Sequence, residues 1–166
     1  MILFDNTCPH RRLFLRSSAV LLFAGLAGCV TTDDDRSGDA DDRTTSALPM
    51  VNDLRKTKGL SSLSVNSAAT DAAIHQARRM AKAGKMSHLI GLNDDFGKRM
   101  KGLGVTLPAA ENIAVGQDST DRAVTAWINS PRHLTNMLGE FQGLGVAVAR
   151  NPASGNRPYW AMVLSG

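Results

Sequence analysis

The last apolar run of the chain, Tyr159 to Leu164, places the strongest constraint on the fold. Successive side chains of a β-strand point to opposite faces, and in this run both alternating sets are apolar. The two sets are Tyr159, Ala161 and Val163 on one face and Trp160, Met162 and Leu164 on the other. Because a strand that is apolar on both faces must be covered on both faces, we predict a sheet between two layers of helices. This arrangement is a three-layer α-β-α sandwich of the α+β class.

A second apolar run predicts the neighbour of this strand. The runs Gly143 to Arg150 and Arg157 to Leu164 are separated by residues 151–156, which are rich in Asn, Pro, Ser and Gly. Turn-forming residues between two short apolar runs are typical of an antiparallel hairpin.

Apolar residues at helical spacing, together with capping residues, predict five helices before the hairpin. In chain order these are Pro49–Lys58, a helix from an N-cap at Ser67 to a stop at Gly84, Phe96–Leu103 after a cap at Asp95, a helix capped by Asp118, and a helix capped by Ser130 with Pro131 as its first residue. In the second helix the repeated small residue is alanine, which favours close packing against a neighbour rather than ligand binding.

The first 28 residues have the organisation of an export signal. Arginines are followed by a short apolar run at residues 18–26, which is too short to span a bilayer comfortably. The stretch Arg11–Arg16 resembles a twin-arginine signal, and an ordinary basic Sec leader is the alternative. Leu26-Ala27-Gly28-Cys29 resembles a bacterial lipobox, so we expect Cys29 to be lipidated and to anchor the mature chain in a membrane.

The N-terminal signal also indicates where the protein is located and which cysteine chemistry its domain can have. We expect a protein of the bacterial cell envelope, and Val30 in place of Asp favours the outer membrane in bacteria that have two membranes. The other cysteine, Cys8, lies in the leader, so disulfides and cysteine-based catalysis are excluded from the domain.

Charge divides the remaining chain into two parts. Residues 30–47 carry six Asp and two Arg, whereas residues 48–166 carry fourteen Lys and Arg against eight acids. We therefore predict an acidic flexible tether over residues 29–47 and a single domain over residues 48–166. A nucleic-acid partner is not expected, because no basic cluster is interleaved with aromatic residues and the protein is exported.

Two polar residues are candidates for a site. Glu111 lies in an apolar run, where a buried carboxylate requires a hydrogen-bonded or charged partner. His133 would be the third residue of its helix, where the helix dipole and Arg132 favour a neutral ring. A neutral imidazole can bind a metal or anchor a hydrogen-bond network, and Glu111 can equally be a structural acid; both pairs of alternatives stay open at this point.

Several short motifs, in their order and spacing, resemble the CAP family, the SCP-type family of cysteine-rich secretory proteins, antigen 5 and plant pathogenesis-related proteins. The motifs are Ser87-His88, Glu111-Asn112-Ile113-Ala114, Trp127 with Ser130 to Leu138, Gly145 to Ala149, and Tyr159-Trp160. The resemblance implies an α-β-α sandwich around a small antiparallel sheet, with a cavity lined by two histidines and two acids.

The resemblance also assigns the cavity residues. It implies that His88 and His133 are the two histidines and that Glu111 is one acid. For the second acid we prefer Asp94 to Asp95, which can cap a helix. It implies that a divalent metal, commonly zinc, can lie between the histidines, and that no catalytic activity is generally accepted for the family.

Two functions follow as hypotheses. The first is a lipid-anchored, non-enzymatic module that binds a lipid, a cell-wall fragment or a protein, with a divalent-metal site in its cavity. The second is a metal-dependent hydrolase in which Glu111 acts as general base beside His88 and His133. A purely structural envelope scaffold is a third class, but it would leave the polar cavity residues unexplained.

Overall fold

The structure is a computed structural model that describes residues 39–166. The predicted leader at residues 1–28, the predicted lipidation site at Cys29 and residues 30–38 of the predicted tether lie outside the described residues. Within residues 39–166, no helix has the length and apolar character needed to cross a membrane.

The centre of the molecule is a five-stranded sheet. Its strands are β1 Asp39–Asp42, β2 Ser64–Val65, β3 Ala109–Val115, β4 Gly143–Arg150 and β5 Tyr159–Ser165. The order β1-β4-β5-β3 is antiparallel throughout, and the short β2 lies parallel to the start of β4. The predicted hairpin is confirmed as β4 and β5, with Ala147 opposite Ala161. The strand β3 lies at the edge of the sheet, where it positions the candidate site.

Five α-helices surround the sheet in the described part of the chain. They are α1 Thr44–Thr57, α2 Ser67–Ala83, α3 Phe96–Gly102, α4 Thr120–Ile128 and α5 Pro131–Met137. The hairpin loop after β4 also contains one 3-10 turn, Pro152–Ser154.

Both faces of β5 are buried, as its two apolar sets predict. Trp160, Met162 and Leu164 pack with α1, α4 and α5, where Trp127 is fully buried. Tyr159, Ala161 and Val163 pack with α2 and α3 on the opposite face. The predicted three-layer α-β-α sandwich is therefore confirmed.

The alanine stripe of α2 lies directly against β4. Ala69, Ala73 and Ala77 are completely buried, and a Cβ atom on Gly145 would lie 2.2 Å from the backbone of Ala69 and Thr70. Small residues on both elements therefore bring the helix close to the sheet, as the stripe predicts.

The predicted boundary between tether and domain is wrong for residues 39–47. Asp39–Asp42 forms β1 against β4, and α1 begins at Thr44, five residues before Pro49, which lies inside the helix. Thr44 and Ala47 are fully buried, and the Thr44 hydroxyl accepts a hydrogen bond of 2.9 Å from the Val146 backbone. Composition misplaced the boundary because β1 is held by backbone hydrogen bonds, which do not require apolar side chains.

Two predicted caps are displaced by one residue. The α2 cap is Asn66 instead of Ser67, and the α4 cap is Ser119 instead of Asp118, because their side-chain oxygens accept the orphan backbone N–H groups of the first turn. Asp95 caps α3 as predicted, at 2.7 Å from the Lys98 nitrogen.

Candidate functional site

Three of the predicted site residues line one cavity at the β3 edge of the sheet. His88 comes from the segment between α2 and α3, Glu111 from β3, and His133 from the first turn of α5. The cavity has a volume of about 520 Å³, and its remaining lining residues are Arg132, Thr135 and Asn136. A smaller apolar recess of about 210 Å³ adjoins it and is lined by His88, Phe96 and Glu111.

Glu111 is buried and fully engaged. Its side chain is only 2% exposed, and its Oε1 lies 2.9 Å from His88 Nδ1. Arg99 Nη1 donates to Oε2 at 3.1 Å, and Nη2 donates to Oε1 at 3.4 Å. Since Arg99 is itself 6% exposed, the carboxylate and the guanidinium form a buried ion pair in which each neutralises the other.

The backbone at His88 is held by two buried side chains. Arg99 Nη2 donates to the His88 carbonyl at 2.9 Å, and Gln76 Nε2 donates to the Ser87 carbonyl at 2.7 Å. The His88 side chain is half exposed. Because the Glu111 carboxylate accepts from Nδ1, the ring presents Nε2 as its remaining polar atom.

His133 is positioned from the other side of the sheet. The fully buried Asn112 donates to the His133 carbonyl at 3.0 Å and accepts a hydrogen bond of 2.8 Å from Asn136. Adjacent residues of a strand point to opposite faces, so Glu111 reaches Arg99 while Asn112 fixes α5. Burial, followed by the charge of nearby His88, lowers the pKa of His133 below its usual value, which agrees with the predicted neutral ring.

Asp94 does not line the cavity with these residues. Its side chain is 8% exposed and forms an ion pair with Arg79 at 2.6 Å. Burial alone would raise the pKa of Asp94, but the hydrogen bond from the Ile90 backbone and the charges of Arg79 and Arg99 lower it. Of the two acids that the resemblance implies, the structure therefore brings only Glu111 into the cavity lining, while Asp94 stabilises the segment that carries His88.

The sequence analysis missed the residues that hold the site together. Arg99 lies beside buried Met100 on the inner side of α3, and Gln76 is completely buried on α2. The sequence did indicate that a buried Glu111 needs a cation. Nothing in the linear sequence selects Arg99 among the many Arg and Lys residues.

The two cavity histidines are too few protein ligands for a closed metal site, so they could serve only an open one. His88 Nε2 and neutral His133 can act as ligands, and a carboxylate behind a ligating imidazole is a common supporting arrangement. Glu111 is occupied by Arg99, and residues 39–166 contain no group of three His, Cys, Asp or Glu side chains that could hold a metal ion. Structural zinc sites use four protein ligands and catalytic sites commonly three.

The chain combines an α-β-α sandwich with two histidines at the edge of its sheet, the arrangement that the resemblance to SCP-type proteins implies. A family model described as CAP, the cysteine-rich secretory protein family, matches residues 48–164. The chain therefore belongs to the CAP family. Comparison with curated protein sequences finds no match.

Solved structures from bacteria share this fold. An extracellular protein containing an SCP domain from Bacillus anthracis str. Ames is similar at 25% identity and a TM-score of 0.64, over 74% of this chain and 40% of that protein. An outer surface protein from Borrelia burgdorferi is similar at 19% identity and a TM-score of 0.65, over 77% and 97%. A cysteine-rich secretory protein from Staphylococcus aureus is similar at 19% identity and a TM-score of 0.57, over 74% and 38%. The chain therefore spans less than half of two of these three proteins.

Proposed function

We propose that this CAP-family protein is a lipid-anchored, non-enzymatic binding module of the bacterial cell envelope. In this proposal Cys29 carries the lipid, and the cavity between His88 and His133 binds a polar fragment of an envelope molecule. The extracellular and outer-surface descriptions of the structural neighbours support an envelope location. Of the ligands that the sequence leaves open, a lipid, a cell-wall fragment or a protein, the chemistry of the cavity lining favours the cell-wall fragment.

The hydrogen bonds of the Glu111 carboxylate support the non-enzymatic part of the proposal. A general base needs a carboxylate that is free to accept a proton from water. Both oxygens of Glu111 already accept hydrogen bonds from Arg99, and one is also held by His88. The hydrolase hypothesis requires this residue to act as the base, so the same contacts argue against it.

The cavity lining indicates the class of ligand. Arg132, Thr135 and Asn136 present a cation, a hydroxyl and an amide beside the two histidines. Since Arg99 compensates the charge of Glu111, the remaining charge of the lining is positive. Hydroxyl and carboxylate groups complement such a surface, and both occur in the sugar-peptide fragments of bacterial cell walls.

We expect a soluble muramyl dipeptide to bind wild-type protein and to bind Arg132→Gln about tenfold more weakly, which corresponds to the loss of one charge-assisted hydrogen bond. Isothermal titration calorimetry measures both affinities. Arg157→Gln is the matched control, because Arg157 is an exposed arginine outside the cavity lining. Absence of binding to wild-type protein, or equal affinity for the two substituted proteins, would contradict the proposed ligand.

The same calorimetry tests zinc at the two histidines. Zinc is expected to bind wild-type protein and to lose affinity in His88→Ala/His133→Ala, and equal affinities would overturn the metal site. Because the pKa of His133 is lowered, its ring stays neutral on mild acidification. Protons should therefore compete with zinc at this histidine only below the ordinary histidine value of about 6.5.

A further inference from the structure

The segment between α2 and α3 concentrates exposed apolar side chains next to the cavity. We name residues 85–94 the Leu92 loop. Leu92 is 97% exposed, and Met86 and Leu89 are each about half exposed. These are three of the five large exposed hydrophobic residues in the described part of the chain. An apolar group of this kind on a protein surface commonly marks a contact with a partner or a membrane.

The tip of the Leu92 loop is a built turn. Gly91 and Asn93 flank Leu92 with φ angles of 94° and 61°, in the left-handed region. Asp94 closes the base of the turn by accepting hydrogen bonds from the Ile90 nitrogen at 2.8 Å and from Arg79 at 2.6 Å. The structure therefore holds Leu92 outward on a fixed support, although solvent exposure of a leucine is unfavourable.

The surroundings of the Leu92 loop are cationic. Residues 82–101 contain four Lys and one Arg against two Asp. Asp94 is neutralised by its ion pair with Arg79 and Arg99 by its ion pair with Glu111, which leaves four Lys against Asp95. The four lysines are all exposed: Lys82, Lys85, Lys98 and Lys101. An apolar tip with exposed lysines on both sides of it in the sequence complements the surface of an anionic bilayer, where an apolar tip enters the headgroup region and lysines meet lipid phosphates.

The described chain begins at the same end of the domain as the Leu92 loop. Asp39 pairs with Arg150 at the end of β4, and the loop after β4 packs against the end of α2, with Ser154 3.7 Å from a Cβ on Gly84. The Leu92 loop begins at the next residue. Only nine residues lie between Cys29 and Asp39, so the ten steps from one Cα to the other span at most about 36 Å. A lipid at Cys29 would therefore keep this end of the domain near the bilayer.

We propose that the Leu92 loop inserts into the surface of an anionic phospholipid membrane and orients the anchored domain on it. This inference rests on the proposed membrane anchor and is independent of what the cavity binds. In this orientation, His88 and the cavity lie close to the bilayer, since His88 belongs to the same loop.

The test places a tryptophan at the tip and measures its contact with acyl chains. The full chain with Cys8→Ser is coupled through Cys29 to a maleimide-bearing lipid in vesicles of acyl-brominated phosphatidylcholine and phosphatidylglycerol. Bromine quenches only indoles that reach the acyl region, and the native Trp127 and Trp160 are buried. We expect bromine to quench the fluorescence of the introduced tryptophan in Leu92→Trp, and to quench it less when phosphatidylglycerol is omitted.

Val65→Trp is the matched control. Val65 is an exposed apolar residue at 52%, but it pairs with Leu144 at the start of β4, one length of α2 away, or about 25 Å. Equal quenching of the two variants, or no quenching of Leu92→Trp, would overturn the proposal. An absence of quenching is also the result expected if Leu92 contacts another protein instead of lipid. Because the lipid is attached chemically in this experiment, its result does not depend on whether cells lipidate Cys29. Mass spectrometry of protein extracted from cells tests that lipidation separately.

Discussion

At the scale of single residues, Arg99 holds the candidate site together. Its guanidinium contacts the Glu111 carboxylate and the His88 carbonyl, and it lies over the Phe96 ring at 5.4 Å from the centroid. The sequence indicated that a buried Glu111 needs a partner, and the partner comes from an element that lies twelve residues away. The local sequence indicates that Glu111 needs a cation, but the packing of α3 near β3 determines which residue supplies it.

Removal of the Arg99 charge should destabilise the domain strongly. In Arg99→Met the buried Glu111 carboxylate keeps its contact with His88 but loses its compensating cation, and breaking a buried pair in this way costs about 3–5 kcal/mol. The free energy of unfolding from urea denaturation at neutral pH measures the loss. Replacing both charges in Arg99→Met/Glu111→Gln should recover part of it.

Arg122→Met provides the comparison for this prediction. Arg122 forms an ion pair of 3.3 Å with Asp118, but both side chains are more than two-thirds exposed. Such surface pairs contribute at most about 1 kcal/mol. Similar losses in Arg99→Met and Arg122→Met would show that Glu111 does not depend on Arg99.

At the scale of elements, close approach of α2 to β4 organises one half of the core. Both contact surfaces consist of small residues, which allow the helix backbone to lie directly on the strand. The helical spacing of the alanines predicted that α2 packs closely against a neighbour, but it did not identify β4 as that neighbour. The partner was decided by the strand order, which places β4 in the interior of the sheet.

Gly145→Ala should destabilise the domain because its methyl group has no space. The added carbon would lie 2.2 Å from the backbone of Ala69 and Thr70, so α2 has to shift, and overpacking of this kind costs about 1–3 kcal/mol or more. Thermal and urea unfolding measure the change.

Gly102→Ala is the control for the α2 contact. Gly102 lies at the end of α3 with no atom within 4 Å of the added carbon, so its stability should stay equal or rise by less than about 1 kcal/mol. A Gly145→Ala protein as stable as this control would contradict the close contact between α2 and β4.

At the scale of the whole molecule, the domain begins earlier than its composition indicates. The acidic residues of β1 extend the sheet, and the first turn of α1 contributes Thr44 and Ala47 to the core. A protein comprising residues 48–166 should therefore unfold at lower urea concentration than one comprising residues 39–166. The expected loss is about 3 kcal/mol, from buried methyl groups and hydrogen bonds to β4. Equal unfolding midpoints and slopes would place residues 39–47 outside the cooperative unit.

The sequence by itself determined the layered fold, the hairpin and three residues of the cavity. The layers follow from the two apolar faces of residues 159–164, because a strand that is apolar on both faces must be covered on both faces. His88, Glu111 and His133 were identified by resemblance, and the structure places them together. Tertiary structure alone decided that Asp94 supports the Leu92 loop, that Arg99 neutralises Glu111, and that β1 belongs to the sheet. These outcomes depend on contacts between distant segments and on backbone hydrogen bonds, neither of which leaves a periodic pattern in the sequence.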